Sequence, residues 1–185
     1  MPFSLTSAQM ADLALLAIPV VIAALLVIIW RRSRARVRLT WAVLDGSNIM
    51  HWRDNTPDLG PVREVLRQLD ARGYRACVIF DANAGYLLFG RFAGEADFGS
   101  RLGIPRKQVM VVPKGTQADP YILSAARDLD ALVVTNDRYR DWAESYPEIR
   151  REGHLVKGGY RDGALWLALP RIAPRRADTT SRRAS

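Results

Sequence analysis

Three apolar runs in this chain stop at an acidic residue. Trp41 to Leu44 leads into Asp45, Ala76 to Phe80 into Asp81, and Ala131 to Thr135 into Asn136-Asp137. Each run is short and bounded by polar or turn-forming sequence, the pattern of a buried strand. A fourth run, Val109 to Val112, ends at Pro113-Lys114-Gly115. Between strands the apolar period changes. Leu59, Val62, Val65, Leu66 and Leu69 recur at helical spacing, with Pro57 or Pro61 suited to a first turn and Gly73 to a C-terminal cap. Ile122, Leu123, Ala126 and Leu129 mark a second helix that begins at Asp119-Pro120, and Leu165 to Leu169 predicts a closing strand. Strands alternating with helices predict an α/β fold with a mostly parallel central sheet covered on both faces.

In such a sheet the ligand site lies beyond the carboxyl ends of the strands. Asp45, Asp81 and Asp137 sit at those ends and Asp119 opens the helix leading to the fourth strand, so four carboxylates converge on one edge. Left alone they repel one another. A hard divalent cation bound through oxygen, Mg²⁺ foremost and Mn²⁺ as a substitute, removes the repulsion, orients phosphate and activates water. Each aspartate also has a plainer reading. Asp119 before Pro120 fits a helix N-cap, Asp137 a cap for a helix starting near Arg138, Asp45-Gly46 a turn and Asp141 a surface charge. Those readings must all hold at once, at neighbouring strand ends, for the metal reading to be unnecessary.

The net charge of +8 and pI near 10.2 invite a nucleic-acid partner, but the charge lies at the ends. From Thr40 to Leu169 there are 17 Lys+Arg and 17 Asp+Glu. The excess comes from Arg31, Arg32, Arg34, Arg36 and Arg38 before this stretch and from Arg171, Arg175, Arg176, Arg182 and Arg183 after it. An unbroken apolar run begins at Leu13 and ends at Trp30. It is long enough to span a bilayer, and the arginines that follow it orient the chain with its N-terminus outside and its body in the cytoplasm. The expected organisation is therefore a short external segment (1–12), a transmembrane helix (13–30), a basic linker touching lipid headgroups (31–39), one catalytic domain (40–169) and a basic disordered tail (170–185). The single Cys77, with only His51 and His154, excludes a disulfide framework and a structural zinc site.

Three motifs carry a resemblance. Asp45-Gly46-Ser47-Asn48 after the first strand, Ala118-Asp119-Pro120-Tyr121-Ile122-Leu123 opening a helix, and Thr135-Asn136-Asp137-Arg138-Tyr139-Arg140-Asp141 after a later strand resemble NYN-domain ribonucleases of the PIN-like superfamily, in the Regnase-like branch. The resemblance spans Trp41 to Leu169 in motif order and extends to Gly153-His154-Leu155-Val156 and the closing strand. It implies a Rossmann-like PIN fold and Mg²⁺-dependent endonucleolytic cleavage of single-stranded or looped RNA. On the matching positions Asp45, Asp119, Asp137 and Asp141 form the catalytic metal site, and Asn48 is their polar support. The chain departs from the pattern at Ala118, where relatives often carry a second acid, and by lacking the CCCH zinc finger of the animal proteins.

For RNA capture the candidates are Lys114, Arg138 and Arg140, the two arginines serving also to balance the acids. Trp52, Tyr86 and Phe89 offer base-stacking surfaces or, equally, core and loop packing. The residues leave two other classes open. A haloacid-dehalogenase-type phosphatase needs a second aspartate where Ser47 stands, and a catalytically inactive RNA-binding or scaffold protein at the membrane would differ only in carboxylate geometry. Oligomeric state is not legible.

Overall fold

The structure, a computed structural model, describes residues 40–170. Strands β1 (Thr40–Asp45), β2 (Tyr74–Phe80), β3 (Val109–Val111), β4 (Leu132–Val134) and β5 (Leu155–Val156) form one sheet in the order β3-β2-β1-β4-β5. Every neighbouring pair is parallel. The chain runs outward from β1 through β2 to β3, then crosses back to β4 on the other side of β1. That reversal opens a crevice beyond the carboxyl ends of β1 and β4, where sheets of this kind bind ligands.

Strand alternation sorts the core into two faces. Leu44, Val78, Phe80 and Val134 pack with Leu59, Val62, Val65, Leu66 and Leu69 of helix α2 (Leu59–Asp70). Phe98 stacks on Phe80 with 4.1 Å between ring centres. On the opposite face Val43, Ile79 and Val133 pack with Ile122, Leu123 and Ala126 of the helix that begins at Asp119. The apolar positions of α2 are those the spacing predicts. Asp58 caps it by accepting from the Gly60 amide, and Pro61 falls in its first turn, where the missing N–H costs nothing.

Between Asp45 and the next segment stands a single helical turn, α1 (Gly46–Ile49), and residues 84–102 form α3 (Ala84–Phe89) and α4 (Glu95–Leu102), three helices for which the apolar spacing gave no signal. The helix opened by Asp119 is α5 (Asp119–Asp128). The closing strand predicted over Leu165 to Leu169 forms outside the main sheet. Its residues fall in β7 (Ala164–Leu167), which pairs antiparallel with β6 (Gly158–Arg161) as a separate hairpin, and the main sheet ends instead at the two-residue β5. The cause is local: Asp162 and Gly163 both take positive φ, 51° and 74°, and an Asp-Gly pair in that conformation closes a two-residue hairpin. Leu165, Leu167 and Leu169 still pack on the α2 side of the core, and Gln68 of α2 donates to the Leu165 carbonyl at 3.1 Å.

The apolar run at 13–30, the segments flanking it and the tail from 171 onward lie outside the described residues. No helix among the described residues is long and apolar enough to cross a membrane, which corrects the single-pass membrane localisation read from the sequence. The longest of them, α2, has 12 residues and a charged face, against about 20 apolar residues for a span.

Gly46 sets the spacing between the end of β1 and its neighbour. A Cβ there would lie 2.5 Å from the Phe80 ring, itself fully buried and stacked on Phe98, so the ring cannot yield. Gly46→Ala should lower the free energy of unfolding by about 1–3 kcal/mol, the usual cost of overpacking a core. A urea midpoint unchanged from wild type would show that this approach is not tight.

Candidate active site

Asp45 is the most buried carboxyl of the described domain, 8% exposed, and it is held from three directions. Its Oδ1 accepts from the Asn48 amide at 3.1 Å, as the cap of α1. Its Oδ2 accepts from the Thr135 hydroxyl at 2.9 Å and from the Tyr139 hydroxyl at 3.0 Å. Burial pushes its pKa up to about 6, with a smaller contribution from the charge of Asp81, and the three donors offset only part of the rise. Tyr139 is buried as well, and burial followed by the charge of Asp45 holds its phenol neutral, well above the ordinary tyrosine range.

The Asp-Gly-Ser-Asn segment supplies the rest of this geometry, each side chain in a different direction. Ser47 accepts from the Asp81 amide at 2.8 Å, tying the end of β2 to α1. The Asn48 amide oxygen accepts from Trp52 Nε1 at 2.8 Å and from the Asn136 amide at 3.0 Å, which ties α1 to the exit of β4. Asn136 in turn donates through Nδ2 to the Gly158 carbonyl at 2.9 Å and accepts from the Gly158 amide at 3.2 Å. Asn48 thus positions the loops and points no free atom at the acids through Oδ1.

After β4 the chain makes a tight polar turn. The Thr135 hydroxyl accepts from the Asp137 amide at 3.0 Å while donating to Asp45, and Asp137 Oδ1 accepts from the amides of Arg138 and Tyr139. Tyr139 takes a left-handed backbone with φ 46°, which costs a non-glycine residue roughly 1–2 kcal/mol. That conformation brings its hydroxyl to Asp45. The plainer reading of Asp137, as the cap of a helix starting near Arg138, does not apply: only a 3-10 turn forms, Arg140–Trp142, so Asp137 and Asp141 do not share a helix face.

Asp119 is the first residue of α5, with Ala118 in the capping position, and its carboxylate accepts from Trp142 Nε1 at 3.2 Å. Its pKa is raised, by burial first and then by the charges of Asp137 and Asp81. Asp45, Asp81, Asp119 and Asp137 therefore share one electrostatic neighbourhood: Asp81 acts on both Asp45 and Asp119, and Asp137 acts on Asp119. Asp141 is exposed on the 3-10 turn and makes no side-chain hydrogen bond to the other four. Arg138 and Arg140 are exposed and form no ion pair among the described residues. Lys114 lies exposed in the turn after β3.

Of the aromatics considered for stacking, Trp52 is hydrogen-bonded to Asn48 and packs on the core, and Phe89 packs against Phe98 with Arg101 over its ring at 4.2 Å. Only Tyr86 stands open. Thr135, Tyr139 and Trp142 were not singled out from the sequence. Their roles depend on a turn whose backbone no periodicity announces.

No group of three or more His, Cys, Asp or Glu side chains among the described residues is arranged to hold a metal ion by itself. The donor set nevertheless suits one chemistry. Mg²⁺ keeps several waters and is usually held by only one or two carboxylates, and an acid cluster without a paired base leaves charge for it to neutralise.

This geometry has a family. The model for the Zc3h12a-like ribonuclease NYN domain matches residues 38–157, and the chain belongs to that family. Its fold is similar to a crystal structure of nuclear proteinaceous RNase P 2 from Arabidopsis thaliana, with a TM-score of 0.54 and 23% identity over 70% of this chain and 29% of that one. A second structure, of Arabidopsis thaliana nuclear protein-only RNase P 2, gives a TM-score of 0.50 and 21% identity over 86% of this chain and 35% of that one. The chain thus spans about a third of the length of these structures, and the likeness shows the fold alone. None of the curated proteins compared matches the chain. The domain is an NYN ribonuclease domain with the expected parallel α/β sheet, and the phosphatase alternative falls away.

The buried carboxyl gives a signed prediction. The folded pKa of Asp45 lies above its ordinary 3.8, so between about pH 4 and about pH 6 the folded state holds the proton more tightly than the unfolded state does. Stability from this group is full below that window and falls as pH rises through it, by on the order of 3 kcal/mol. In EDTA, wild-type stability measured relative to Asp45→Asn should fall from pH 4 to pH 7. A difference that stays flat or grows with pH would contradict the burial of Asp45 as a charged group.

Proposed function

We propose that residues 40–169 form a divalent-metal-dependent endoribonuclease that cleaves RNA phosphodiester bonds at the carboxyl edge of β1 and β4, with Mg²⁺ as cofactor and Mn²⁺ as a substitute. The observation that carries this reading is the gathering of Asp45, Asp81, Asp119 and Asp137 without a balancing base, in a domain of a ribonuclease family. A bound Mg²⁺ would supply positive charge to the phosphate and lower the pKa of a coordinated water.

The roles of the side chains follow from their surroundings. Asp45, fixed by the Asn48 amide and two hydroxyls, is the anchoring carboxylate. Asp119, half-buried and held above its ordinary range, is suited to take the proton of an attacking water. Asp137 uses Oδ1 in its turn and keeps Oδ2 for the cation. Asn48 is a positioning residue. Asp141 is carried by the motif match alone. Arg138 and Arg140, exposed beside Asp137, are available to RNA phosphates.

The test is cleavage of a labelled RNA with Mg²⁺, Mn²⁺ or EDTA, alongside thermal melting with and without Mg²⁺. Wild type should cleave only with a divalent cation and should melt higher in Mg²⁺, because a ligand of the folded state alone stabilises it. Asp119→Asn should lose the melting response and at least about 100-fold in cleavage rate. Cleavage undiminished in EDTA, or in Asp119→Asn, would overturn the assignment, and Mg²⁺-responsive melting without any cleavage would favour the inactive RNA-binding reading.

A further inference from the structure

Beside the acid cluster, at the carboxyl ends of β2 and β3, opens a cavity of about 740 Å³ whose lining includes Asp81, Asn83, Tyr86, Phe92, Glu95 and Lys114. Its size is within the roughly 300–1,000 Å³ range of clefts that take small ligands. Tyr86 and Phe92 are 56% and 57% exposed, whereas Phe80 and Phe98 close by are fully buried. Two large rings left uncovered on one cleft have an apolar partner to gain.

The rings are also held in place. Gly85 lies so close to Ala93 that a Cβ would meet its amide nitrogen at 2.5 Å, which fixes α3 against the segment carrying Phe92. Arg91 donates through one Nη to the Phe92 carbonyl at 2.9 Å and pairs through the other with Asp97 at 3.1 Å. Lys114 projects from a turn closed by the Thr116 amide, which donates to the Pro113 carbonyl at 3.1 Å, with Gly115 at φ 85°. It forms no ion pair among the described residues.

We infer that this cleft is a stacking subsite for an unpaired base of single-stranded RNA, with Tyr86 and Phe92 supplying the aromatic faces and Lys114 holding a flanking phosphate. The inference rests on the ribonuclease reading and assigns the place on this chain where a base of the substrate stacks. Asp81 and Glu95 repel a phosphate inside the cleft but accept hydrogen bonds from the N–H groups of a base, the ring N3–H of uracil among them, so the base enters and the backbone stays at the mouth. Asp81 belongs both to the cleft and to the acid neighbourhood, which places the phosphate adjoining the stacked base at the acid edge. A base within an A-form duplex has its faces covered by its neighbours and cannot make this contact.

The test uses the full chain and reads binding in EDTA, where nothing is cut. Affinity for a short fluorescein-labelled oligouridylate and for an A-form RNA duplex would be measured by anisotropy. Tyr86→Ala and Phe92→Ala should each weaken oligouridylate binding by roughly five- to 150-fold and leave duplex binding unchanged, while Tyr86→Phe should bind as wild type does. Removing bases in turn from the oligouridylate should reveal one position whose loss weakens wild type and has little further effect on Tyr86→Ala. Lys114→Ala should lower the slope of log affinity against log salt by about 0.7. Alanine variants that bind as wild type does, an equal loss for duplex, or a wild type that ignores oligouridylate would each overturn the inference. Failure of metal-dependent cleavage would undo the catalytic reading and leave these affinities as they are.

Discussion

The carboxylate of Asp45 is taken out of water and kept there by two hydroxyls and one amide, and the arrangement around the crevice follows from meeting that demand. A buried carboxylate without donors costs several kcal/mol. Here the three donors come from two segments, α1 through the Asn48 amide and the β4 exit through Thr135 and Tyr139. Satisfying one side chain therefore pins the first and last motifs to each other across the point where the sheet reverses direction. The left-handed backbone of Tyr139 is stabilised by the same bond, together with the Asx-type turn of Asp137.

What those bonds do not remove is repulsion. Asp45 and Asp119 both sit above the ordinary aspartate range, and part of each rise comes from neighbouring aspartates. No arginine or lysine closes on them among the described residues. A protein optimised for stability alone would replace one of these acids or pair it. A site that needs a cation has the opposite requirement, since every internal counter-ion would compete with the metal and with the phosphate it brings. The exposed bases, Lys114, Arg138 and Arg140, stand at the periphery, where they can meet a polyanion without neutralising the centre.

The strands and the longest helix were legible because each is a buried element with one period, as β1, β2, β4 and α2 show. The positions of Asp45, Asp81 and Asp137 were legible for a related reason, since each ends or follows a strand of a parallel sheet, and Asp119 was placed by opening the helix that leads to β4. Asp141 was not placed by any such rule, only by motif matching, and the alternative of a helix capped by Asp137 gives way to a turn that Tyr139 reverses. The short helices α3 and α4 escaped because one buries only Ala84 and Gly85 and the other only Phe98, Gly99 and Leu102, too few positions to sustain a period. Asp162-Gly163 carries the signal of a hairpin, and the strand predicted over Leu165 to Leu169 is the second arm of that hairpin. Tyr139 and Trp142 reach their carboxylates through tertiary turns, which a one-dimensional pattern does not encode.

The central claim is that the four convergent aspartates exist to hold a divalent cation. Anomalous diffraction from crystals soaked in Mn²⁺ tests it most directly, because the scattering locates the ion without reference to activity. The account predicts a peak in the crevice beyond β1 and β4, about 2 Å from a carboxylate oxygen of at least one of Asp45, Asp119 and Asp137 and with water completing its shell. A crevice without a peak at saturating Mn²⁺, or a peak only at surface acids remote from these residues, would contradict it.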